Sequence, residues 1–193
     1  GQDRIDTTMK APSAYGTTYI QEQKMKGELD AFFIHVGEGT DADSLQEFQD
    51  LANKNLLMDE TVIIHGAALG LPQFQQMAAA GTSLVWSPLS NLLLYGDTAD
   101  IASAHAAGVE ISLAPDWAPS GSKSVLHELK VADWWNQNEL GGLLSDYELA
   151  KMTTVNPAKS IKWDGFVGTI QAGRHADLLV LDSFDANPYR NLI

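Results

Sequence analysis

Four short runs of apolar, largely β-branched residues recur along the chain, at 31–36, 61–65, 82–86 and 109–114. Each run is continuous rather than alternating. That pattern suits strands buried on both faces, as in a parallel sheet covered by helices. Helix-length segments lie between the runs. After the first, Gly37 and Gly39 break the strand, Thr40 and Asp43 form a capping pair, and Leu45, Phe48, Leu51 and Ala52 follow at helical spacing. After the second, Pro72 takes a first-turn position and Gly81 ends the helix. The third leads into Ser87-Pro88-Leu89-Ser90-Asn91, a loop by composition. An Ala-rich helix from about 100 to 108 and another from about 124 to 136 flank the fourth run. The expected fold class is α/β, built from βα units.

The ends of the chain read differently. Residues 1–30 are the least legible, with a candidate strand at 17–21. Residues 145–159 look helical. Residues 165–182 read as two short strands around a Gly turn, a small β element that closes the chain. A length of 193 residues suffices for one ordinary domain with a real core. A formal net charge of −13 argues against a nucleic-acid partner, which wants a basic face. No run approaches the roughly 18 apolar residues of a membrane span, so no membrane partner is expected. With no cysteine, disulfides, zinc–thiolate sites and a cysteine nucleophile are all excluded.

The chemistry-bearing residues fall at strand ends. The run 31–36 delivers His35, and Glu38 three residues later. The run 61–65 ends in His65, and 109–114 passes through Pro115 into Asp116. Polar groups at successive strand ends are the layout of an α/β active site. Two histidines and an aspartate are a reasonable metal-ligand set. Each residue also has a bland use. A lone strand-end histidine is commonly a core residue bonded to a backbone carbonyl. A carboxylate beside a helix start commonly serves as N-terminal charge, and an aspartate before a loop as a cap. The residues alone leave three uses for His65: orienting a substrate, polarising a scissile carbonyl, or ligating a second metal. Trp86 and Trp117 flank the site-bearing loops and are candidate walls for a planar substrate, with Asn91 as a further substrate contact.

Taken in order, His35-Val36-Gly37-Glu38, Ile64-His65-Gly66, Ser87-Pro88-Leu89-Ser90-Asn91, Asp116, Thr153-x-x-Asn156-Pro157-Ala158 and Gly165–Asp182 resemble an amidohydrolase-superfamily enzyme. The resembling branch holds atrazine-chlorohydrolase-like hydrolases, cytosine and guanine deaminases and imidazolonepropionase. The resemblance covers roughly residues 31–182. It implies the C-terminal half of a (β/α)8 TIM barrel, strands five to eight, with part of a small β-sandwich. The implied division is residues 1–160 for the half-barrel, 1–30 being poorly assigned, and 161–193 for the sandwich part.

The resemblance also implies roles. His35 and Asp116 would hold a divalent metal, zinc first and iron or manganese as alternatives, with His65 a further possible ligand. Asp116 and Glu38 would move protons, and His65 would position the electrophile. The activity implied is hydrolysis of a non-peptide C–N bond in a small-molecule substrate, of amide or amidine type. Two departures stand out. The family's opening His-x-His pair is not found in this chain, so strands one to four are expected to come from elsewhere, either a missing N-terminal half or a homo-oligomeric partner. In addition, Trp86-Ser87 replaces the His-Cys that many deaminases and chlorohydrolases carry. The alternative reading is a non-catalytic half-barrel acting as a structural or interaction module.

Overall fold

The computed structural model describes residues 4–6 and 12–193. Five parallel strands, β1 (Arg4–Asp6), β2 (Phe32–Val36), β3 (Thr61–His65), β4 (Ser83–Trp86) and β5 (Ile111–Leu113), pair in sequence order. Helices α1 (Ala14–Met25), α2 (Ala42–Asn53), α3 (Leu71–Ala80), α4 (Pro88–Tyr95) and α5 (Ile101–Ala107) form the connections. After β5 come α6 (Val125–Asn138), α7 (Asp146–Met152), α8 (Val155–Ser160) and a 3-10 turn at Arg190–Leu192. This is the wound, parallel α/β arrangement that the apolar runs predict.

The helix ends follow local chemistry. The side chain of Asp100 caps α5 by accepting from Ser103 N at 3.0 Å, and Ser124 caps α6 by accepting from His127 N at 3.2 Å. Gly81, with a φ of 75°, ends α3 in the left-handed conformation that favours glycine.

Several expectations are corrected. The cap of α2 is Asp41, which accepts from Ser44 N at 2.8 Å, rather than Thr40. Residues 17–21 lie inside α1, capped by Ser13, not in a strand. The segment 88–91 begins α4, because Pro88 is pre-organised for a first helical turn. A strand does precede residue 31: β1 pairs with β2 from Arg4↔Phe32 to Asp6↔Ile34, and with α1 it adds a further βα unit. Its three residues are too few and too polar to stand out in the sequence.

The pleat sorts the strand residues onto two faces. Phe32, Ile34, Val36, Ile63, Leu84, Trp86, Ile111 and Leu113 meet helix residues such as Phe48, Leu51, Phe74, Met77 and Ile101 in the main core. The opposite face is thin. Ala31, Val62 and Val85 are buried there, with Phe33, Ile64, Ala114 and Ile161 only partly covered.

The tail is the largest departure. Among the described residues, 161–189 contain no strand, so the two expected strands do not form. The tail instead borders an apolar cavity of about 720 Å³ against Phe33, Val62 and Val85. Ile170 and Val180 are each 91% exposed. A two-stranded β element is marginal by itself.

Candidate active site

Strands β2 and β3 run in register so that Val36 lies beside His65 and His35 beside Ile64. Their following loops are stitched together: Gly66 N donates to Val36 O at 3.1 Å, and Ala68 N donates to Gly37 O at 3.0 Å. Gly37, at a φ of 64°, turns the chain so that Glu38 returns over the strand ends, and Gly37 N is held by Glu47 Oε2 at 2.8 Å. His65 itself has a φ of 77°, a conformation that non-glycine residues rarely adopt and that gathers at functional sites. On the far side, Asp116 follows β5, and the loop folds back so closely that a Cβ on Gly121 would lie 2.7 Å from Asp116 N.

These turns bring together Glu38, His65 and Asp116. One potential ligand atom from each lies within 4.8 Å of the others. His65 Nε2 is 3.6 Å from Glu38 Oε2, and the His35 ring centroid is 5.4 Å from that of His65. His35 thus stands beside the three-residue group. His65 is 1% exposed. Burial is the main cause that holds its pKa below the ordinary histidine value. Glu38 and Asp116 pull the other way, and His35 adds to the depression. Two carboxylates and two imidazoles at the ends of β2, β3 and β5 are a donor set that fits a divalent zinc, iron or manganese ion.

The remaining expected residues fare differently. Trp86 is fully buried, and its Nε1 donates to Thr98 Oγ1 at 2.8 Å, so it presents no wall to a substrate. Its side chain falls on the helix-facing side of β4, and the pleat decides this. Asn91 is also fully buried, with Nδ2 3.3 Å from His65 Nδ1 and Oδ1 accepting from Thr98 Oγ1 at 3.3 Å. Its amide is committed at both ends, so it supports His65 rather than contacting a substrate. Trp117 adjoins Asp116 and is 74% exposed.

Three further residues hold this group or its supports, and none lies at a strand end. The hydroxyl of Tyr95 donates to Glu38 Oε1 at 3.1 Å, and burial together with Glu38 pushes its pKa up to about 12. Reading 88–95 as a helix would have placed Tyr95 one turn after Asn91 on the same face. Thr98 joins Trp86 to Asn91. Glu128 of α6, fully buried, accepts from Leu89 N at 2.8 Å and so anchors the start of α4.

The description of the amidohydrolase family matches residues 13–192 of this chain. Among similar proteins, a 5-methylthioadenosine/S-adenosylhomocysteine deaminase of Caldanaerobacter subterraneus subsp. tengcongensis is 26% identical over 94% of this chain and 45% of its own length. One from Haloquadratum walsbyi is 29% identical over 99% of this chain and 46% of its own. The chain therefore spans about half the length of the curated relatives it matches.

Solved structures share the fold. An adenosine deaminase from Xanthomonas campestris with bound zinc superposes with a TM-score of 0.71 at 21% identity, over 83% of this chain and 39% of its own. The guanine deaminase of E. coli gives 0.72 at 24% identity, over 89% and 42%.

Proposed function

The chain belongs to the amidohydrolase family, and on that premise we propose that it carries the strand-end chemistry of a metal-dependent hydrolase that cleaves a non-peptide C–N bond in a small molecule. The supporting observation is the convergence of Glu38, His65 and Asp116 within 4.8 Å from three different strand ends. The similarity to enzymes named as 5-methylthioadenosine/S-adenosylhomocysteine deaminases favours an amidine-type carbon, with an exocyclic amine of a purine nucleoside leaving as ammonia.

His35 and Asp116 would hold the metal, zinc first and iron or manganese as alternatives, with His65 a further candidate. When bound, the metal supplies Lewis acidity, lowering the pKa of a coordinated water from ~15.7 toward ~7. Asp116 accepts a proton from the attacking water. Glu38 delivers a proton to the departing nitrogen, and the hydroxyl of Tyr95 orients its carboxylate. His65 positions the electrophile, and Trp117 offers an aromatic face at the rim. The numbering of β2 to β5 as barrel strands five to eight, and the need for further strands to close the barrel, belong to the same proposal.

The test is ammonia release from a 5′-substituted adenosine by the zinc-loaded protein that carries this chain. Glu38→Gln and Asp116→Asn should each lower turnover by about 100-fold or more. Unchanged release in both would sink the reading. A second reading, a non-catalytic interaction module, draws support from the thin inner face and the exposed apolar tail. It predicts neither turnover nor stoichiometric metal.

A further inference from the structure

We propose that a buried relay from Trp86 through Thr98 to Asn91 fixes His65 in the tautomer with its proton on Nε2, making it a hydrogen-bond donor toward the cluster rather than a metal ligand. The relay begins with a group that can only donate. The indole N–H of Trp86 points at Thr98 Oγ1, 2.8 Å away, and has no lone pair to receive the proton of Thr98. That hydroxyl proton needs another acceptor, because Thr98 is buried and a buried proton without a partner is costly. Asn91 Oδ1, at 3.3 Å, is the acceptor it meets.

The carbonyl side of Asn91 is thereby committed, so its amide nitrogen faces His65 Nδ1 at 3.3 Å. An amide N–H only donates, and Nδ1 must accept. A neutral imidazole that accepts at Nδ1 carries its proton at Nε2. Nε2 is the nitrogen 3.6 Å from Glu38 Oε2, on the side where the carboxylates converge.

Coordination of a metal through Nε2 would require the opposite tautomer. The Nδ1 proton would then meet the amide N–H of Asn91. Flipping that amide would leave the hydroxyl proton of Thr98 facing the indole N–H. An imidazole at position 86 could accept that proton and let the relay run backwards, whereas an indole cannot. The identity of residue 86 thus sets the polarity of a group two side chains away. Trp86, Thr98 and Asn91 are positioning residues. The use His65 makes of its Nε2 proton rests on the hydrolase reading above, but the tautomer itself does not.

Long-range 1H–15N NMR of the metal-free, 15N-labelled full chain, at alkaline pH where imidazoles are neutral, reads the tautomer without any turnover. His65 is assigned by the signals lost in His65→Asn. The wild type should show a protonated Nε2 and an unprotonated Nδ1. Asn91→Asp, whose carboxylate only accepts, should move the proton to Nδ1. Thr98→Val, which keeps the shape but removes the hydroxyl, should give a mixture of both forms. An Nε2–H wild type with a changed tautomer in either variant supports the relay. A wild type protonated on Nδ1, or a tautomer unchanged in both variants, overturns it. An inactive protein with the expected tautomers would refute the hydrolase reading and leave the relay standing.

Discussion

His65 combines three demands in one residue: a left-handed backbone, near-complete burial and a place among two carboxylates. Asparagine tolerates the left-handed region well, whereas a β-branched side chain there is a genuine outlier. His65→Asn should therefore keep the fold, and His65→Val should be less stable than His65→Asn by about 1–3 kcal/mol, read by urea unfolding. The buried ring also makes stability depend on pH. Its folded pKa lies below the ordinary 6.5, so the unfolded chain binds protons more readily. Stability is full above about pH 6.5 and falls as pH drops toward the folded pKa. In His65→Asn that part of the dependence should vanish from a pH series of melting curves. The strand-end position of His65 was legible in the sequence. The left-handed angle and the partner Asn91 were not, because they depend on how two loops and a helix start pack together.

At the scale of elements, caps and close approaches were partly written in local sequence. Ser145 and Glu148 form a capping box at α7, with Ser145 N donating to Glu148 Oε2 at 2.9 Å. The hydrogen bonds from Ser145 and the neighbouring His105 hold the Glu148 carboxyl down to about 2. A depressed carboxyl pKa contributes stability that is present above the unfolded value of 4.5 and is lost as pH falls from there toward 2. Ser145→Ala should cost about 1 kcal/mol at neutral pH. It should also flatten the acid limb of the stability curve between those two values. In the loop after β5, Gly121→Ala would drive a methyl into the backbone of Asp116. The expected result is reduced metal content at unchanged helicity, measured by elemental analysis and circular dichroism. Wild-type metal content in Gly121→Ala would show that the loop gives way without moving Asp116. The helical start at Pro88 is hard to read because Ser, Pro and Asn are equally at home in a loop; Pro88 suits a first helical turn, and the contacts of Glu128 with Leu89 and of Thr98 with Asn91 anchor it there.

The described part of the molecule is lopsided, with one dense helix-covered face of the sheet and one thinly covered face. The tail is tied down at its end, where Arg190 bonds Asp133 at 2.8 Å and 2.9 Å and Asp146 at 3.1 Å, joining the last residues to α6 and α7. Between, Ile170, Leu178, Leu179 and Val180 remain exposed, and apolar surface of this kind marks an interaction or aggregation site. Replacing Leu178, Leu179 and Val180 together by serine should lower self-association in light scattering while changing the melting temperature little. Association equal to the wild type would place the sticky surface elsewhere.

By itself the sequence determined the parallel α/β class, strands β2 to β5, helices α2, α3, α5 and α6, and the delivery of His35, Glu38, His65 and Asp116 to strand ends. Those are consequences of short-range periodicity, glycine turns and capping chemistry, which operate within a few residues. Only the tertiary structure decided that Trp86 faces the helices, that Tyr95 reaches Glu38, that Asn91 serves His65, and that residues 165–182 form no strand. Each of these depends on a partner distant in the chain. A side chain's face is set by the pleat and its neighbours, the direction of a hydrogen bond by the group at its far end, and a strand by a partner segment that actually pairs with it.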